Sequence, residues 1–268
     1  MATWQELLHP GEAKDFFMRR PLPPFNPATR SYSRANARWL AELSRLAYRH
    51  DAEETDTPLQ PTQHMLLEKA GCIRRQFFFS RETDTQALLL EFDTATPFAV
   101  LVFRGTEQNI KDLVTDLNVG HLRHNDGKID THAGFTLALD SIWEDLERAL
   151  KQLTHPVFYT GHSLGAALAT LAAARHTPAA LYTFGSPRVG DDEFVASLNA
   201  KLGNIHRVVH GEDIVTTLPP EALGFRHVGN LQRLAAPASR AWHDWLPGWL
   251  LPPIPLSDHA PLNYVDKT

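Results

Sequence analysis

The sequence predicts an α/β fold with a mostly parallel central sheet flanked by helices on both faces. Two observations predict it. From residue 98 onward, short apolar runs of strand character alternate with runs of helical periodicity, the order of chained βαβ units. The strand-like runs are short, apolar and bounded by polar residues or proline. The chain is long enough to close such a core: 268 residues, 43% of them hydrophobic.

The elements follow in order. Residues 1–34 lack a clear period, and Pro21, Pro23, Pro24 and Pro27 crowd into PLPPFNPATRSY, which reads as an extended arm. Residues 35–268 read as one domain, with no internal repeat and no dividing linker. Leu40, Leu43 and Ala47 fall at helical spacing and predict a helix over about 34–49. DAEETDTPLQPTQ is a charged, proline-punctuated loop. Three strand-like runs follow: RQFFFSR, ALLLEFD and PFAVLVF. Helix is then expected near 136–153, strand at PVFYT, helix at LGAALATLAAARH and strand at ALYTFG. Helix at DDEFVASLNAKL, strand at NIHRVVH and a further strand at FRHVGNLQRL complete the series.

Charge and cysteine content narrow the function classes. The formal net charge is -5 and no run of Lys or Arg stands out, which argues against a nucleic-acid partner and against recruitment by an anionic membrane surface. The single cysteine, Cys72, cannot form an internal disulfide. MATWQELLHPGE has neither a basic n-region nor an apolar h-region, and no stretch approaches the roughly 18 apolar residues of a spanning helix. These features predict a cytoplasmic protein without a transmembrane segment.

GHSLG, residues 161–165, is the stretch that points to chemistry. It fits G-x-S-x-G, with a predicted strand ending before it and an alanine-rich helix starting after it. The turn lifts Ser163 to the end of a strand, and Leu164 opens a helix whose free amides favour negative charge. A serine hydroxyl is a weak nucleophile and needs a base held by a third group. Sites in such sheets form at the carboxyl ends of strands. There Glu212 and Asp213 offer carboxylates that, being adjacent, should point different ways. Asp191 and Asp192 are rivals, with helix capping as their competing role. His227, His243 and His259 are the candidate bases. His227 lies in a strand-like run, His243 in a Trp-rich stretch, and His259 in a turn-rich loop. Despite 14 histidines, no HExxH or Cys/His spacing appears, so neither metal nor cofactor is expected. His121–His124 and His206–His210 read as surface or packing residues.

Several motifs together resemble one family. VLVFRGTE (100–107), THAGF (131–135), GHSLGAALATL, YTFGSPRVG (182–190), HGEDIVTTLPP and DHAPLNYV are similar, in order, to elements of the class 3 (fungal-type) lipases, within the α/β-hydrolase fold. The resemblance runs from about residue 35 to 265. It implies Ser163 as nucleophile, Asp213 as orienting acid and His259 as general base, with the backbone N–H groups of Thr106 and Leu164 forming an oxyanion hole. The chain departs from secreted fungal members, which carry a signal peptide and disulfides.

The implied activity is hydrolysis of acylglycerol or related lipid esters through an acyl-enzyme. The alternatives are an intracellular phospholipase, a short-chain esterase, or a non-catalytic lipid-binding protein of the same fold. Ile110, Leu113, Val114 and Leu117 fall at i, i+3, i+4 and i+7 after Thr106. The resemblance implies a lid helix there; a helix packed permanently on the core fits the same spacing. Trp242, Trp245 and Trp249 precede the histidine loop, with Trp245 and Trp249 as candidates for an acyl-chain wall or a transient lipid-interface contact. A core-packing loop is the competing reading. Acyl preference and oligomeric state have no sequence signal.

Overall fold

The computed structural model describes residues 2–106, 130–235 and 251–268, and the backbone of 123–125. Its main sheet orders the strands β1 (Cys72–Ser80), β2 (Thr85–Phe92), β3 (Phe98–Phe103), β6 (Val157–His162), β7 (Ala180–Phe184), β8 (Ile205–His210) and β9 (Asn230–Leu234). The short strands β4 (Arg123–Asn125) and β5 (Asp130–His132) pair separately. β1, β2 and β3 are antiparallel neighbours because only short loops join them. From β3 onward each connection is long enough for a crossover, and β3, β6, β7, β8 and β9 run parallel. The architecture is the predicted α/β one.

Alternation along each strand divides the core in two. Ala99, Leu101 and Phe103 face one side of the sheet, where they meet α4 (Ala133–Leu150), α5 (Leu164–Arg175) and α6 (Asp192–Lys201). Phe98, Val100 and Val102 face the other, where they meet α2 (Arg34–Leu46), α3 (Gln63–Lys69) and α8 (Pro261–Lys267). α5 is buried nearly all round, which accounts for its lack of a polar face, and its alanines let it sit close to the sheet.

Boundaries differ from expectation where local chemistry outweighs periodicity. The N-terminal segment contains a helix, α1 (Trp4–Leu8), closed by a capping box between Thr3 and Glu6. Ala2 is buried and exchanges two hydrogen bonds with the Ser257 hydroxyl, one from its N–H and one to its carbonyl. In the proline stretch, Phe25 stacks on Phe98 with centroids 4.2 Å apart. α3 starts where the charged, proline-punctuated loop ends, over residues for which no element was expected, and Thr62 caps its first turn. α4 begins three residues earlier than its period suggested, and β9 starts only at Asn230, after the positive-φ turn at Gly229.

Register sets up the site. Phe103 is level with Gly161, His162 with Phe184, and Phe184 with Val208. The residues just past these strands, 104–106, Ser163, Gly185 and 211–213, therefore share one edge of the sheet.

Candidate active site

β6 passes into α5 through Ser163, which holds φ 58° and ψ −127°. This conformation is sparsely populated for any residue with a Cβ and costs on the order of 1–3 kcal/mol. The flanking glycines are required by contact. A Cβ on Gly161 would lie 2.3 Å from the Gly165 carbonyl carbon, and one on Gly165 would lie 2.2 Å from the Phe103 carbonyl oxygen. Any side chain at either position would push the helix off the strand. The Ser163 N–H donates to the Phe184 carbonyl at 3.0 Å, tying the turn to β7. Leu164 is the first helical residue, so its amide has no intrahelical acceptor. The end of β3 lies against the same turn: a Cβ on Gly105 would lie 2.6 Å from the His162 carbonyl oxygen. Thr106, the next residue, is half-buried there.

Asp213 and His259 meet beside this turn. His259 Nδ1 lies 2.9 Å from Asp213 Oδ1 and 2.8 Å from Oδ2, and both side chains are essentially inaccessible to solvent. The carboxylate is held further by the Val215 N–H on Oδ1 at 2.9 Å and by the Tyr264 hydroxyl on Oδ2. Burial, followed by the Asp213 charge, pushes the Tyr264 phenol well above its usual range, so it stays a donor. Pairing at Nδ1 leaves His259 Nε2 buried and without a hydrogen-bond partner among the described residues. The serine hydroxyl is thus not bonded to Nε2 here; such bonds are often long in ligand-free sites and tighten with substrate. Proximity comes through β7: a Cβ on Gly185, one residue past the serine's acceptor, would sit 3.1 Å from His259 Nδ1 and 2.7 Å from Asp213 Oδ2.

The other candidates have structural partners. Glu212 points outward and is exposed, while its N–H donates to Asp258 Oδ2 at 2.7 Å. Asp191 caps α6 by accepting from the Phe194 N–H at 2.7 Å, and Asp192 pairs with Arg226. His227 Nε2 bonds the Thr216 carbonyl at 2.8 Å, and burial lowers this imidazole to about 3. His206 bonds Asn204 and packs against Tyr182 and Tyr32. His243, Trp242, Trp245 and Trp249 lie outside the described residues, as do Ile110, Leu113, Val114 and Leu117, His121 and the side chain of His124. Tyr264, Tyr48, His162 and Asp258 bear on the site without any sequence signal, and His210, read as a surface or packing residue, faces Asp258 of the histidine loop instead; their partners are 46 to 114 residues away. The alternation of β8 could have singled out His210 as inward-facing.

The model of the family described as lipase (class 3) matches residues 100–223. Secreted mono- and diacylglycerol lipase 1 of Fusarium solani is 37% identical over 145 residues, covering 50% of this chain and 43% of that protein. Secreted mono- and diacylglycerol lipase A of Penicillium cyclopium is 32% identical over 197 residues, covering 65% of this chain and 63% of that protein. Among solved structures, a lipase from Rhizopus microsporus var. chinensis matches with a TM-score of 0.62 at 27% identity, over 83% of each chain. The match spans less than half the length of the first of these relatives.

These relatives overturn the expectation of a cytoplasmic protein, since two of them are named as secreted. A fold that closes without disulfides is compatible with either redox compartment, so a lone cysteine does not report where the chain works. Motif order, sheet topology and solved neighbours together match this chain to the class 3 lipase family of the α/β-hydrolase superfamily.

Proposed function

We propose that this chain is a serine carboxylic ester hydrolase of lipase type, acting on acylglycerols or related lipid esters through Ser163, His259 and Asp213. The observation that carries the reading is the buried Asp213–His259 pair, which leaves Nε2 without a partner among the described residues, on the sheet edge that also bears Ser163 in its strained turn. His259 Nε2 takes the Ser163 proton as Oγ attacks the ester carbonyl carbon. Asp213 holds Nδ1–H and stabilises the imidazolium that forms. Negative charge builds on the carbonyl oxygen as the tetrahedral intermediate forms. The N–H groups of Thr106 and Leu164 are assigned to receive that charge, with the N-terminus of α5 adding its dipole. Collapse expels the alcohol, which leaves with the proton from His259. Water then attacks the acyl-enzyme with the same base and frees the acid.

The choice of acylglycerol rests on the two relatives that are named mono- and diacylglycerol lipases. The test is a substrate profile across nitrophenyl esters of increasing chain length, acylglycerol emulsions and phospholipid vesicles, with Ser163→Ala as the blank. The reading expects Ser163-dependent hydrolysis that is fastest on acylglycerol. Turnover confined to phospholipid or to short soluble esters would replace the substrate class, and hydrolysis unaffected by Ser163→Ala would remove the mechanism.

A further inference from the structure

Two buried histidines outside the reacting trio face successive carbonyl groups of the loop that carries His259. His162, the last residue of β6, immediately precedes Ser163. Its Nε2 is 2.7 Å from the His259 carbonyl oxygen, and its Nδ1 is 2.9 Å from the Tyr48 hydroxyl. His210, the last residue of β8, lies three residues before Asp213. Its Nδ1 is 3.3 Å from the Asp258 carbonyl oxygen and 3.5 Å from Asp258 Oδ1. The other oxygen of the same carboxylate, Oδ2, accepts the Glu212 N–H at 2.7 Å, so Asp258 also grips the loop that holds Asp213. The histidine loop is therefore bonded to the strand bearing the serine and to the strand bearing the acid.

We propose that His162 and His210 are positioning residues that clamp the carbonyls of His259 and Asp258, holding the His259 imidazole in register with Ser163 and Asp213. The proposal rests on the reading of His259 as the base. The loop needs such a clamp because it belongs to no strand: it links α7 (Ile254–Ser257) to α8, and among the described residues the His259 N–H bonds the nearby Leu256 carbonyl, at 3.1 Å. A carbonyl can only accept, so each facing nitrogen must carry a proton. This fixes the tautomer of His162: Nε2 donates to the loop, and Nδ1 accepts from the Tyr48 hydroxyl. Burial, with the neighbouring His259 adding to it, pushes His162 well below 6.5 and keeps it neutral in that form. His210 must be protonated on Nδ1.

The two clamps use different ring nitrogens, and amide side chains can tell them apart. The Gln amide nitrogen lies close to where His Nε2 lies; the Asn nitrogen lies close to His Nδ1. His162→Asn is expected to lower kcat by ~10²-fold at unchanged KM, the cost of misplacing a reacting group by about 1 Å, and His162→Gln to recover most of it. At His210 the order reverses: Gln loses and Asn recovers. Equal kcat for Gln and Asn at both positions, or differences seen only in Tm, would overturn the clamp. Nitrogen-15 NMR of the wild-type imidazoles tests it independently of activity. A proton on Nε2 and a bare Nδ1 at His162, with a proton on Nδ1 at His210, supports the clamp; the opposite tautomer at His162 overturns it. Failure of the functional reading looks different: wild-type protein would then show no Ser163-dependent hydrolysis, whatever the tautomers.

Discussion

Asp213→Asn perturbs the site with almost no change of shape, and the structure sets what it should do. Both carboxylate oxygens already accept: Oδ1 from the Val215 N–H, Oδ2 from the Tyr264 hydroxyl, and each from His259 Nδ1. An amide supplies only one acceptor oxygen. With that oxygen on the Val215 N–H, the NH2 group faces Tyr264 and His259. The phenol can turn to accept, but Nδ1 can accept only by giving up its proton, which moves the proton to Nε2. Nε2 then cannot take the Ser163 proton. The loss combines a wrong tautomer with an imidazolium left without its counter-charge, and a triad disturbed in this way loses up to ~10⁴ in kcat. Stability should fall by only about 1.5–3 kcal/mol, the worth of a charged hydrogen bond. The assay is nitrophenyl ester turnover beside a thermal melt. A loss of kcat below tenfold in folded protein would refute the tautomer argument and the role of Asp213 with it.

Three further outcomes follow from the same geometry. Ser163→Gly should abolish hydrolysis yet stabilise the protein, because glycine tolerates φ 58° without strain. At about 2–4 °C per kcal/mol, Tm should rise by a few degrees, and a fall would mean that the turn is unstrained. His259→Ala should remove nearly all turnover. His227→Ala, which loses a bond to Thr216, should lower Tm while most of kcat survives; matching losses in both would leave no distinct base. Acid should destabilise the fold through histidines buried in the neutral form. Burial lowers His132 and His206 to about 4 and His227 to about 3, against 6.5 when unfolded. The unfolded chain therefore binds more protons between pH 6.5 and about 4, and stability falls as pH drops through that window. By pH 5, His132 and His227 should each cost on the order of 1–2 kcal/mol, and His206 less. Denaturant melts at pH 7 and pH 5 with equal midpoints would contradict this.

The order of strands and helices from residue 98 onward was legible because short apolar runs alternate with longer helical ones and polar residues or proline separate them. What escaped was short or was decided by contacts across the chain. α1 and α3 are only 5 and 7 residues long and start from side-chain caps at Thr3 and Thr62, too short to show a period. The strand expected from Phe225 is cut short because Arg226 bridges to Gly190 and Gly229 turns the chain. At the site, Asp191 was a rival to Asp213 because both follow a strand. The fold separates them: Asp191 is used up capping α6, and Asp213 turns inward onto His259. The second layer of partners was invisible for a different reason. Nothing in the local sequence of Tyr48, His210 or Tyr264 indicates a partner, because each bond forms only when distant strands and loops come level.

Covalent capture tests the central claim most directly. A fluorophosphonate reacts with a serine only when a neighbouring base has activated it. Peptide mass spectrometry of the labelled protein should find one adduct, on Ser163, and almost none in His259→Ala or Asp213→Asn. An unlabelled wild type, or equal labelling of Ser163 when His259 is alanine, would contradict the account.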